Sequence, residues 1–150
     1  MVMIKIKAVD EQNILDVCEL TTNQDRIGTT VEGCSCCNAI SIAEAKYDLE
    51  MYPNAIYNNN VLIGFFMYKR TEIQAEKATI CRFMIDDKFQ HKGFEEKALE
   101  HILRGLKIQG VKKVVFIDKA NENAKKRYLS FGFHFTEDID KTECCYELEL

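Results

Sequence analysis

The sequence predicts a mixed α/β fold, in which helices pack against a β-sheet that contains both parallel and antiparallel strands. Two apolar runs flank the asparagine turn at 58–60 and predict a hairpin. Two nearly continuous apolar segments, 78–86 and 111–118, predict buried strands. An amphipathic segment that stops at a glycine follows each of them. The predicted order is β-α-α-β-β-β-α-β-α-β-β.

The elements of the first half follow from periodicity and capping. They are a strand at 2–7, helices at about 11–20 and 41–51, and strands at 54–57 and 61–70. Asp10 is the expected N-cap of the first helix, and Ser41 with Glu44 forms a capping box for the second. The second helix should end near Pro53, and the polar segment 21–38 should be a loop.

The second half contains two strand–helix units and a final pair of strands. Its predicted strands are 78–86, 111–118, 133–135 and 142–150. The helix after the first of these has an apolar face that repeats at helical spacing and ends at Gly110. The apolar face consists of Ala98, Leu99, Ile102, Leu103 and Leu106. The last helix is expected to be capped by Asn121 and stopped by Gly132, with Ala124, Tyr128 and Phe131 on one side.

Composition places the chain among ordinary globular proteins. It has 150 residues, which suit a single domain at 1–150, with 47% hydrophobic residues, 29% charged residues and a net charge of −4. These values do not predict a nucleic-acid or membrane partner, and we expect a cytoplasmic protein. Residues 1–77 carry 7 basic and 11 acidic residues, whereas 78–150 carry 13 of each. The acidic half favours a cationic partner or a solvated acidic face.

Seven cysteines are many for this length, but their number is odd and no secretory signal precedes them. They are Cys18, Cys34, Cys36, Cys37, Cys81, Cys144 and Cys145. Structural zinc sites combine a C-x₂₋₄-C pair with a second, distant pair of ligands. Here the other pair, Cys144–Cys145, is adjacent, so we expect free thiols and no bound metal.

The stretch FQHKGFEEKALEHIL (89–103) begins like an anion-binding loop. A short polar loop with Gly93 precedes a helix, and both the loop amides and the helix dipole attract anions. Glu95 and Glu96 then put two carboxylates where anion oxygens are expected. The loop therefore binds something other than an anion, or the carboxylates point away, or the anion site is weakened.

Two segments resemble the GNAT N-acetyltransferase superfamily, and the likeness covers almost the whole chain. RFMIDDKFQHKGFEEKAL (82–99) resembles the family's strand and Q/R-x-x-G-x-G/A loop. NENAKKRYLSFGF (121–133) resembles its N-x-x-A-x-x-x-Y-x-x-x-G-F segment. The resemblance implies the GNAT fold and the transfer of acetyl from acetyl-coenzyme A to an amine. Residues 38–68 are most similar to bacterial diamine (spermidine/spermine) N-acetyltransferases, which implies a polyamine acceptor and, as in the family, a homodimer.

The resemblance also implies roles for particular residues. The expected coenzyme A ligands are Phe83, Met84, Ile85, Gln90, His91, Lys92, Gly93, Phe94, Glu95, Glu96 and Asn121. The family's tyrosine corresponds to Tyr128, which would protonate the departing thiolate. An alternative is that Tyr128 is a core residue, and that Asn121 is only an N-cap.

The acceptor half of the site is less defined by the sequence. Glu32, Glu44 and Asp48 are candidates for attracting a polyamine, although surface solvation explains them equally well. The strand before the coenzyme A loop carries Ile, Cys and Arg at 80–82, and the nearest carboxylates are Glu76 and Asp86. A general base is therefore not assigned, and a water chain is the alternative. Two alternatives to a polyamine acetyltransferase remain: an enzyme for an amino-acid or peptide amine, and a weakly active or non-catalytic acyl-coenzyme A-binding protein, which Glu95 favours.

Overall fold

A computed structural model describes residues 1–23, 37–119, 122–139 and 143–150. Within these ranges lie seven strands and four α-helices in the predicted order, which confirms the predicted fold class. They are β1 (Ile4–Ala8), α1 (Ile14–Glu19), α2 (Asn38–Tyr47), β2 (Met51–Asn58), β3 (Val61–Lys69), β4 (Lys77–Ile85), α3 (Phe94–Ile108), β5 (Lys113–Lys119), α4 (Glu122–Ser130), β6 (His134–Asp138) and β7 (Glu143–Glu149). A 3₁₀ turn, Asp87–Phe89, links β4 to α3.

The strands form one sheet in the order β1-β2-β3-β4-β5-β7-β6. All neighbours are antiparallel except β4 and β5, whose parallel pairing ends at Ile80 and Phe116. The register between β3 and β4 shifts at the same level, so that Cys81 forms a bulge. Beyond this bulge β4 stays paired with β3 through Ile85. Its other edge, over residues 81–85, is therefore open toward β5.

Apolar residues pack on both faces of the sheet. On one face, the five predicted apolar residues of α3 are all buried together with Tyr128 of α4. On the other face, α1 and α2 cover a smaller cluster that contains Val17, Ile42 and Phe65. The amide of the Asn38 side chain donates to the Val17 carbonyl at 2.9 Å and ties α2 to α1.

The predicted starts of the first two helices were wrong. The Asp10 carboxylate accepts hydrogen bonds from the amides of Gln12 and Asn13 and forms a turn, so α1 begins only at Ile14. The N-cap of α2 is Cys37, so Ser41 is a buried residue inside the helix and cannot form the predicted capping box.

Pro53 lies within β2, and the predicted extension of the second helix toward it was wrong. The helix ends at Tyr47, and β2 begins at Met51. Proline cannot donate a ladder hydrogen bond, so it is confined to places where no donor is needed. The pairing of β1 with β2 reaches only Asn54, which leaves Pro53 just beyond the ladder on that side.

The expectation that β4 is buried on both faces was also wrong. Ala78, Ile80 and Ile85 are buried, but the residues from Cys81 to Met84 are only half-buried. This segment begins at the bulge and borders the open edge, and Phe83 and Met84 line a cavity there.

Candidate active site

A cavity of about 330 Å³ lies where β4 and β5 separate. The structure brings seven of the predicted site residues to its wall. They are Phe83, Met84, Ile85, Gln90, His91, Glu95 and Tyr128. Strand β4, the loop before α3, the first turn of α3 and helix α4 each supply part of this wall.

The loop before α3 presents backbone amides in the manner of an anion-binding concavity. His91 and Gly93 both have left-handed backbone conformations, with φ of 61° and 80°. A left-handed residue other than glycine is uncommon and often marks a functional loop. Such turns direct successive N–H groups to one side, and the first amides of a helix have no partner within the helix. The Gln90 side chain anchors this loop by donating to the Ile85 carbonyl at 3.0 Å.

Four predicted ligands in the loop region lie outside the cavity lining, namely Lys92, Gly93, Phe94 and Glu96. The exposed Lys92 ammonium lies 5.9 Å from the centre of the Phe89 ring. The Phe94 ring packs edge-on against the same ring. Their contacts thus support the loop from outside.

The two glutamates at the start of α3 differ in their surroundings. The half-buried Glu95 lines the cavity. Glu96 instead accepts a hydrogen bond from Arg127, with 3.2 Å between Oε1 and Nε. Arg127 also lines the cavity, so it brings a positive charge to the wall next to the anion-binding loop.

Tyr128 lies in a buried aromatic cluster and reaches the cavity with its polar end. It is only 1% exposed, and its ring centre lies 4.4 Å from that of Phe116 and 5.1 Å from that of Tyr146. Its hydroxyl donates a hydrogen bond to the Asp118 carboxylate at the end of β5. Burial, and then the Asp118 charge and hydrogen bond, raise the pKa of Tyr128 well above its usual range.

Sequence reasoning missed several residues of the cavity wall, including Thr22, Asp118, Asn123 and Arg127. Two of them had a readable signal. Asp118 ends an apolar parallel strand, and ligands of open sheets gather at the carboxyl ends of such strands. Arg127 follows Ala124 by three residues, which puts both on the same side of α4.

Two of the three predicted acceptor residues, Glu44 and Asp48, lie on the other face of the sheet and are already paired. Glu44 lies 3.7 Å from the Arg82 guanidinium, and Asp48 lies 2.8 Å from the Lys69 ammonium. The hydrogen bond from Lys69 lowers the pKa of Asp48. The remaining candidate, Glu32, lies outside the described residues.

Some other predicted residues also lie outside the described part of the chain. They are Asn121, Cys34 and Cys36. The five cysteines that the structure describes are free thiols.

A buried carboxylate holds the segment after α1 against the end of β4. Asp86 accepts hydrogen bonds from the amides of Thr21 and Lys88, each at 3.0 Å. The Asp87 amide donates to the Thr21 carbonyl at 2.9 Å. Because Thr22 lines the cavity, this clamp sets one of its walls.

Known proteins resemble this chain over most of its length. Residues 24–133 match the acetyltransferase (GNAT) family. The spermine/spermidine N(1)-acetyltransferase of Bacillus subtilis (strain 168) is 28% identical over 144 residues, which cover 91% of each chain. The chain therefore belongs to the GNAT acetyltransferase family, and it is an acetyl-coenzyme A-dependent N-acetyltransferase.

Solved structures share the fold at lower identity. An acetyltransferase from Thermus thermophilus superposes with a TM-score of 0.75 at 20% identity, over 98% of this chain and 97% of that one. The PaiA N-acetyltransferase of Thermoplasma acidophilum, in complex with coenzyme A, superposes with a TM-score of 0.65 at 18% identity, over 99% of both chains. In the part of the chain that the structure describes, no helix is long and apolar enough to cross a membrane.

Proposed function

We propose that this enzyme transfers acetyl from acetyl-coenzyme A to a primary amine of a polyamine, and that Tyr128 is its general acid. The observation that carries the proposal is the position of the Tyr128 hydroxyl, which reaches the cavity between the separated ends of β4 and β5. We also propose that the chain folds as a single domain, forms a homodimer and is located in the cytoplasm.

The cavity fits the cosubstrate in two respects. Residues 81–85 of β4 have an open backbone edge, and an extended chain with amide groups binds such an edge as an added strand. At the end of that edge, the left-handed loop residues His91 and Gly93 and the start of α3 form an anion cradle. Phe83 to Ile85 would hold the pantetheine arm, and the cradle would hold the pyrophosphate.

The chemistry required of the protein is proton transfer. A thiolate leaves more readily when a positioned acid protonates it, an effect of about 10²–10⁴ in rate. Because its pKa is raised, Tyr128 remains a hydroxyl at neutral pH and has a proton to give. The buried aromatic cluster around its ring fixes its position.

The polyamine acceptor is supported by the Bacillus subtilis relative, whose name gives spermine and spermidine as its substrates. The carboxylates of Glu44 and Asp48 are suited to ammonium groups, but each already holds a basic side chain. An incoming polyamine would therefore compete with Arg82 and Lys69 for them. On this proposal Lys69→Gln lowers the KM for spermidine and Asp48→Asn raises it.

Thiol release from acetyl-coenzyme A tests the proposal. Spermidine, spermine and putrescine are compared with amino acids, a peptide amine and choline, a cation without a transferable N–H. We expect saturable release with the polyamines and none above background with choline. Release only with amino-acid or peptide amines would refute the polyamine acceptor while leaving the enzyme class intact.

A second acceptor class has one observation in its favour. Arg82 lies on β4 with its guanidinium toward α2, and a guanidinium is suited to bind a carboxylate in bidentate geometry. An amine that also carries a carboxylate, as amino acids and peptides do, would pair with it. Arg82→Gln separates the two classes, because it should raise KM for an amino-acid acceptor but not for spermidine.

A further inference from the structure

Asp118 and Tyr128 meet in the cavity from two different elements. Asp118 lies near the end of β5, two positions beyond Phe116, the last residue that pairs with β4, and Tyr128 lies in the last turn of α4. Both line the cavity, and the Tyr128 hydroxyl donates a hydrogen bond to the Asp118 carboxylate. The cavity wall thus holds a hydroxyl whose proton is directed toward a carboxylate.

The charged and titratable groups around this pair come from every neighbouring element. Arg127 is on the same helix, Cys144 and Tyr146 lie on β7, and His91 and Glu95 face the cavity from the loop and α3. Among the groups that the structure describes around Tyr128, Asp118 is the one that accepts a hydrogen bond from its hydroxyl.

A single hydroxyl proton cannot serve two acceptors at once. If Tyr128 is to protonate a thiolate while it lies beside a carboxylate, it would become a phenolate next to a second negative charge. If Tyr128 is to accept a proton from an ammonium, its own proton must leave at the same time. Both steps become feasible when Asp118 takes up and returns the hydroxyl proton.

We propose that Asp118 and Tyr128 form one proton-transfer pair that supplies both the base and the acid of the acetyl transfer. Asp118 is a positioning residue in this scheme, because it acts on the reacting atoms only through the Tyr128 oxygen. The inference rests on the proposed function, in which Tyr128 is the acid. It accounts for the lack of a carboxylate on β4, where residues 80–82 are Ile, Cys and Arg.

The protons balance over the reaction. An N–H bond of the ammonium breaks and its proton bonds to the Tyr128 oxygen, while the Tyr128 O–H bond breaks and that proton bonds to Asp118. The amine attacks the acetyl carbon, and the second amine proton goes to solvent as the amide forms. The departing sulfur then takes the Tyr128 proton, and Tyr128 recovers the proton from Asp118. Amine nitrogen and sulfur bond to the same carbon during transfer, so one hydroxyl can reach both.

A double-mutant cycle tests the pair in the full-length protein with its best acceptor. Asp118→Asn and Tyr128→Phe should each lower kcat about 10²–10⁴-fold, with the KM for acetyl-coenzyme A changed by less than about threefold. The double variant should be no slower than the slower single variant, because residues that act as a unit are not additive. Glu122→Gln, which removes a nearby exposed charge, is the matched control and should leave kcat unchanged.

The pH dependence separates proton transfer from a structural role. The defect of Asp118→Asn should shrink at least tenfold between pH 7 and pH 10, because a deprotonated acceptor no longer needs a base. The pair would be overturned if Asp118→Asn lowered kcat by the same factor at every pH. It would also be overturned if Asp118→Asn lowered kcat by the same factor in the wild-type protein and in Tyr128→Phe. Normal kcat in Tyr128→Phe would overturn the acid role itself, whereas normal kcat in Asp118→Asn alone would overturn only this inference. Asp118→Ser replaces Asp118→Asn if the latter fails to fold by circular dichroism.

Discussion

The Arg127 Nε lies 3.2 Å from Glu96 Oε1 and joins helix α4 to the first turn of helix α3 beside the cavity. This ion pair resolves half of the conflict between an anion-binding loop and its two glutamates. The charge of Glu96 is compensated, and Arg127 is directed to the cavity wall. Of these two glutamates, Glu95 is the one that lines the cavity.

Removing the Glu95 charge should tighten coenzyme A binding. A like charge 4 Å from the phosphates costs about 1 kcal/mol in water, which corresponds to about a fivefold change in Kd. We expect Glu95→Gln to lower the Kd about fivefold, and Glu95→Ala to lower it further by removing bulk. Titration calorimetry at one low salt concentration measures this. Glu100→Gln, which removes an exposed charge paired with Arg104, is the matched control and should change Kd less. Unchanged or weaker binding in both Glu95 variants would contradict the prediction.

Arg127→Gln should have the opposite effect. The guanidinium lies at the cavity wall near the anion cradle, and hydrogen bonds to charged groups contribute about 1.5–3 kcal/mol. We expect coenzyme A binding to weaken about tenfold or more and to depend less on salt. Arg104→Gln removes the same charge from an exposed site on α3 and serves as the control. Equal effects of the two substitutions would show that only net charge matters.

Gly64→Ala should destabilise the protein and damage the site. A Cβ at Gly64 would lie 2.4 Å from the Met84 carbonyl oxygen, so β4 would have to move where it borders the cavity. Overpacking of this kind costs about 1–3 kcal/mol. The urea midpoint should fall, and coenzyme A binding should weaken. The control is Gly105→Ala on α3, where a Cβ meets nothing within 4 Å. The free energy of unfolding of Gly105→Ala should rise by about 0.5–1 kcal/mol. A fall in the free energy of unfolding of this variant would refute the steric argument.

Tyr146 should make stability fall at alkaline pH. Burial and the neighbouring Cys144 thiol raise its pKa to about 12, whereas an unfolded tyrosine titrates near 10. A raised folded-state pKa gives stability that is complete below about pH 10 and is lost as the pH rises toward 12. In Tyr146→Phe the unfolding free energy should therefore fall less steeply across this interval. The polar neighbour of the Tyr146 hydroxyl is the Cys144 thiol, which is a weak hydrogen-bonding group, so the variant should lose little stability at pH 7. Urea titrations at several pH values test both statements.

The order of elements was predictable because it depends on local patterns. Hairpin turns, helical periodicity and glycine stops act within a few residues of chain. Helix starts were less predictable, because Asp10 and Ser41 are good caps whose actual partners depend on the turn around Asn13 and on burial of α2. Pro53 did not mark the end of a helix. It lies in β2 at a position beyond the end of the pairing with β1, where no backbone donor is needed.

The candidate site divides in the same way. The loop around Gly93 and the position of Tyr128 could be predicted, because each belongs to a motif of consecutive residues. The pairings of Arg127 with Glu96 and of Tyr128 with Asp118 join residues 31 and 10 positions apart, and only the packed fold brings them together. The acceptor residues Glu44 and Asp48 were recognisable as charges, but their basic partners lie on other elements.

The separation of β4 from β5 has a consequence for the molecule as a whole. Four residue pairs, from Lys77–Lys113 to Ile80–Phe116, are the only ladder that joins the half-sheet β1–β4 to the half-sheet β5–β7 among the described strands. A ligand that binds in the gap between β4 and β5 contacts both half-sheets and therefore helps to hold them together. Amide hydrogen exchange at residues 81–85 should slow on occupancy, and resistance to unfolding should follow the free coenzyme concentration. The protein's lifetime under proteolysis would thereby be coupled to the supply of its own acyl donor.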